Sequence, residues 1–106
     1  MKPYVKFTRN GYGFGYDWTL VIPKTKTLPE QEFFMGQEAK VKQRILGYSG
    51  MSLAAEICKR TGQEFRHPLP WTQTVAEALA AIIIEAFGGL RQVRTLEPWA
   101  LHAGGG

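Results

Sequence analysis

The chain has 106 residues, 44% of them hydrophobic and 12% aromatic, with 13 Lys and Arg against 9 Asp and Glu. That is the size and make-up of one small globular domain, and it excludes a multidomain enzyme and a disordered tail protein. The formal +4 lies wholly in residues 1–26, with five basic residues and one acid, while the other 80 balance at eight of each, so a uniformly basic nucleic-acid wrapper is excluded too.

The first predicted element is a β-hairpin. Asn10-Gly11 supplies the positive φ angles of a tight hairpin turn, and placing the turn there sets Arg9 opposite Tyr12, Phe7 opposite Phe14 and Lys6 opposite Gly15. Alternation then separates two faces. One carries Val5, Phe7, Arg9, Tyr12, Phe14, Tyr16, Trp18, Leu20 and Ile22, and the other Tyr4, Lys6, Thr8, Gly13, Gly15, Asp17 and Thr19. The aromatic face is expected to be core. Pro23 ends the second strand.

Residues 23–29 read as a polar connector. Thr27-Leu28-Pro29-Glu30 has the spacing of a capping box and Gly47 suits a helix terminus, which predicts a helix over 28–46; Gly36 leaves open a strand at Val41–Ile45 instead. Tyr48-Ser49-Gly50 is a turn, after which Ser52 caps a helix ending at Gly62. Two prolines make 63–71 an extended loop. Thr74-Val75-Ala76-Glu77 opens a helix to Phe87 that is apolar nearly all round and is expected to be the buried central element. Leu90–Leu96 fits a strand or a helix. The fold class is therefore α+β, an N-terminal antiparallel hairpin packed on about three helices. The expected domain is 1–103, with 104–106 a flexible glycine tail.

Gly11-Tyr12-Gly13-Phe14 resembles the core of the RNA-binding RNP1 motif, and Val5-Lys6-Phe7 resembles the first strand of a cold-shock domain. The resemblance covers about ten residues and implies a single-strand binding platform of rings and cations on one surface. This chain departs from it: Asn10 stands at the basic position, Gly15 at the aliphatic one, and Lys6 falls opposite the rings. Ser52–Gly62 looks like the first helix of a helix-turn-helix, but the helix after the proline loop has no basic residue to face DNA.

No catalytic constellation emerges. Cys58 sits within a helix, His67 and His102 are scattered, and Asp17 is the only aspartate, so neither a metal set nor a triad is expected, and no cofactor. The single cysteine fits a reducing compartment, hence the cytoplasm. The N-terminus lacks a signal-peptide core, and the apolar run Ala78–Ile84 is far short of the roughly 20 residues that span a bilayer. Lys40, Lys42, Arg44, Lys59, Arg60 and Arg66 read as a solvated basic surface. Trp71 and Trp99, each beside a proline, are candidate exposed anchors.

The expected function is a non-enzymatic binding protein acting by protein–protein contact, through Lys6, Thr8, Arg9, Gly13, Gly15, Arg66 and Trp71. In general character, such a chain resembles small phage-encoded inhibitors such as anti-CRISPR proteins. That resemblance implies steric occlusion of a host partner, at an acidic or nucleic-acid-binding surface. The alternative is a small basic DNA- or RNA-binding protein using the N-terminal hairpin. A homodimer through the apolar stripe stays open.

Overall fold

The computed structural model describes residues 1–9, 15–66 and 68–95. Three strands form an antiparallel sheet in the order β1 (Tyr4–Arg9), β2 (Tyr16–Ile22) and β3 (Gln31–Gln37). Among the described residues four α-helices follow: α1 (Glu38–Lys40), which runs straight into a π-helical turn at Val41–Leu46, then α2 (Gly50–Thr61), α3 (Gln73–Ala86) and α4 (Leu90–Arg94). The α+β class is as expected.

The two faces of the hairpin survive, but its register does not. Arg9 lies opposite Tyr16, Phe7 opposite Trp18 and Lys6 opposite Thr19, each four residues further along β2 than a turn at Asn10-Gly11 requires. An even shift keeps every side chain on its own face. Tyr12, Gly13 and Phe14 lie outside the described residues, as do His67, Trp99, His102 and the glycine tail.

The helix expected over 28–46 is corrected. Its first half is β3, and the helix begins only at Glu38; the alternative strand at Val41–Ile45 is helical instead. Thr27 caps nothing. The Thr25 hydroxyl accepts from the backbone N–H groups of Thr27 and Leu28 and closes a tight turn that delivers the chain to the free side of β2. Phe33 and Met35 are then buried on the same face as Leu20. Between Thr19–Phe34 and Trp18–Gly36 the pairing carries one extra residue on β3, a bulge that Gly36 permits with φ +104°.

The helix starts also move by two or three residues. Ser49, not Ser52, is the N-cap of α2: its hydroxyl accepts from Ser52 N–H while the Ser52 hydroxyl accepts from Ser49 N–H. At the far end Gly62 takes φ +71°, as a C-terminal glycine should. Thr72, not Thr74, caps α3 by accepting from Val75 N–H at 3.2 Å. Thr72→Ala is expected to cost about 1 kcal/mol, read as a lower urea midpoint at unchanged slope.

One face of the sheet, with Val5, Trp18, Leu20, Ile22, Phe33 and Met35, packs with α3 residues Val75, Leu79, Ala80, Ile82 and Ile83 into one core. Leu53 and Ile57 of α2 close it from the side. Arg60 pins α2 to α3: its guanidinium grips both carboxylate oxygens of Glu85, one at 2.8 Å, and reaches Glu56 at 3.6 Å. The hydrogen bond from Arg60 above all, with desolvation opposing it and the Arg60 charge assisting, holds the Glu85 carboxyl below its ordinary 4.5. A depressed folded pKa gives stabilisation that is present above 4.5 and lost as the pH falls through the lower folded value. The thermal midpoint of the native protein should therefore fall more steeply below pH 4.5 than that of Glu85→Gln. Parallel curves would show that the bridge adds nothing.

Candidate functional site

Phe7 is the centre of the aromatic cluster. Same-face neighbours on a sheet set Trp18 beside it at 5.3 Å and Tyr16 at 5.7 Å between ring centroids. The 63–71 loop then lays Trp71 over it at 3.6 Å, with the rings 28° from parallel. Trp18 is buried, whereas Tyr16 and Trp71 are 44% and 43% exposed. The pile thus runs from the core to the surface.

Beside it opens a cleft of about 200 Å³. Phe7 and Trp18 form its sheet wall, Leu53 and Ile57 its α2 wall, Val75 and Leu79 its α3 wall, and Pro68, Leu69 and Trp71 its loop wall. Among the described residues the only charged ones lining it are Glu38 and Lys42, an i, i+4 ion pair at 2.5 Å. Among the described residues the buried Trp18 indole N–H has no acceptor, a cost of about 1–3 kcal/mol where none is supplied. A shallow, mainly apolar recess with a half-exposed tryptophan on its lip can take an aliphatic or aromatic side chain.

The expected site residues divide between the two faces of the sheet. Arg9 and Trp71 share the aromatic side, Arg9 lying across from Tyr16 at the end of β1, while Lys6 and Thr8 point the other way. Arg66 and Gly15 are exposed, and Gly13 falls outside the described residues. Lys6 reaches over the outer face to Glu32 of β3 at 2.6 Å, and that hydrogen bond raises its pKa above 10.5. The basic surface is thus partly matched, since Lys6, Lys42 and Arg60 all have carboxylate partners.

Phe7, Glu38, Lys42, Leu53 and Leu69 were not foreseen as site residues. The i, i+4 spacing of Glu38 and Lys42 was the one local signal available; the others meet only through the tertiary fold. Among the described residues no group of three His, Cys, Asp or Glu side chains could hold a metal ion, and no helix is long and apolar enough to cross a membrane. Compared with known proteins, the chain matches no family model, no curated protein and no solved structure.

Proposed function

We propose that this chain is a non-enzymatic binding protein that acts by protein–protein contact, with the aromatic cleft and its rim as the working surface. The observation that carries this reading is Trp71, an exposed ring held flat on Phe7 at the lip of an apolar recess. Interface hot spots favour such a rigid aromatic with a pocket beside it. Arg9 and Arg66 add exposed charge to the surroundings. The mode of action is steric occlusion of a partner's own surface, as small phage-encoded inhibitors work. The buried free thiol of Cys58 supports a reducing compartment, the cytoplasm.

Among the described rings, the covering of Phe7 supports protein contact over a single-strand platform. Nucleobases stack on open ring faces, and the face of Phe7 available above the sheet is occupied by Trp71. Affinity capture from the native host is the test, with recovery of a stoichiometric protein partner expected and its absence overturning the reading. Titration with DNA and RNA at two salt concentrations should show no steep salt-dependent binding; a steep dependence would assign the surface to phosphate chains instead.

A further inference from the structure

The cleft continues into a second depression. A slot of about 310 Å³ shares Phe7 and Trp71 with it and is lined on one side by Tyr4, Val5, Lys6 and Phe7. These are four consecutive residues of β1, alternately from the two faces of the sheet. A groove that touches both faces in succession runs along the strand's edge, where the backbone itself is the wall. Thr72, Gln73 and Ala76, at the start of α3, form the opposite bank.

Among the described residues that edge is unpaired. β1 bonds to β2 on one side, and among the described residues no other element sends a backbone hydrogen bond to it. Soluble proteins guard such edges with bulges, prolines, charged side chains or a covering helix. β1 has no bulge or proline within its six residues, since the bulge lies between β2 and β3 and Pro3 precedes the strand; Lys6 leans across the sheet to Glu32, Arg9 stands at the strand's end, and α3 packs against the strand with its first turn banking the groove. An open strand edge with a side-chain recess at its end is the arrangement that receives a peptide by strand addition, where backbone bonds give affinity and recesses give selectivity.

Charge identifies the guest. Residues 1–9 contain Lys2, Lys6 and Arg9 and no acid. Lys2 and Arg9 are exposed, as is Arg66 in the loop, and among the described residues none of the three has an acidic partner. We infer that β1 is a docking edge for an extended, acidic segment of a protein partner, which adds as a fourth strand and places an aliphatic or aromatic side chain in the cleft beside Trp71. The inference rests on the protein-contact reading and specifies the partner's shape and charge.

The test uses the full chain and a displayed library of random peptides of about 12 residues, long enough to exceed a strand of typical length. Enriched peptides should alternate acidic with apolar residues, and a bound synthetic copy should slow hydrogen exchange at alternate amides of β1. Methylating two alternate backbone nitrogens of that peptide should weaken binding about tenfold or more. Arg9→Glu, an exposed change, should weaken it as well. Peptides that bind equally well when methylated, and leave β1 exchange unchanged, would overturn strand addition while leaving the protein-contact reading intact. Edge amides already protected in the free protein in a concentration-dependent way would give the edge to a second copy, which also overturns the inference. No enriched peptide, together with no captured partner, would overturn both.

Discussion

Trp71→Ala should weaken capture of the protein partner by about 30-fold or more, the size of a central interface anchor. The same change should disturb the fold far less. Trp71 sits in a loop and is 43% exposed, and its main fixed contact is the stack on Phe7. An aromatic pair contributes about 0.5–1.5 kcal/mol beyond its buried area, which moves the thermal midpoint by only a few degrees for a domain of this size. The separation between a large affinity loss and a small stability loss is what marks a working residue. Trp71→Phe, which keeps a ring over Phe7, should recover much of the binding. Unchanged capture by Trp71→Ala would remove the cleft rim from the interface.

Ile83→Ala should have the opposite signature. Ile83 is fully buried in the last turn of α3, packed into the core with the sheet, so truncation leaves a cavity the core cannot close. The expected cost is about 2–5 kcal/mol, a substantial share of the roughly 5–15 kcal/mol that holds a domain of this kind together. Urea unfolding reads it directly, and Ile84→Ala, at a half-buried neighbouring position, should cost less. A loss below about 1 kcal/mol at Ile83 would contradict the central place of α3.

The faces of β1 and β2, and the central helix, were legible because each rests on a period within one segment. Val5, Phe7, Trp18, Leu20 and Ile22 alternate, and α3 is apolar nearly all round. The register was not legible. Asn10-Gly11 satisfies a two-residue turn locally, but pairing Phe7 with Trp18 rather than Phe14 is a choice made by the core. β3 was hidden for a related reason. Phe33-Phe34-Met35 is an unbroken apolar triplet that fits either period, and the bulge at Gly36 interrupts the alternation that would have revealed a strand. Losing β3 also concealed the Lys6–Glu32 pair, since Glu32 had been placed on a helix. Trp71 could be singled out from its prolines, whereas the ring beneath it could not.

Phe7 and Trp71 stand sixty-four residues apart in the chain, and the site exists only where they touch. During synthesis the first ring is made early and the second follows after about 3–13 s at ordinary elongation rates. Until then the growing polypeptide carries a basic strand and half a cleft. If the cleft is the working surface, as proposed, that surface is complete only once the 63–71 loop has been made and folded onto β1.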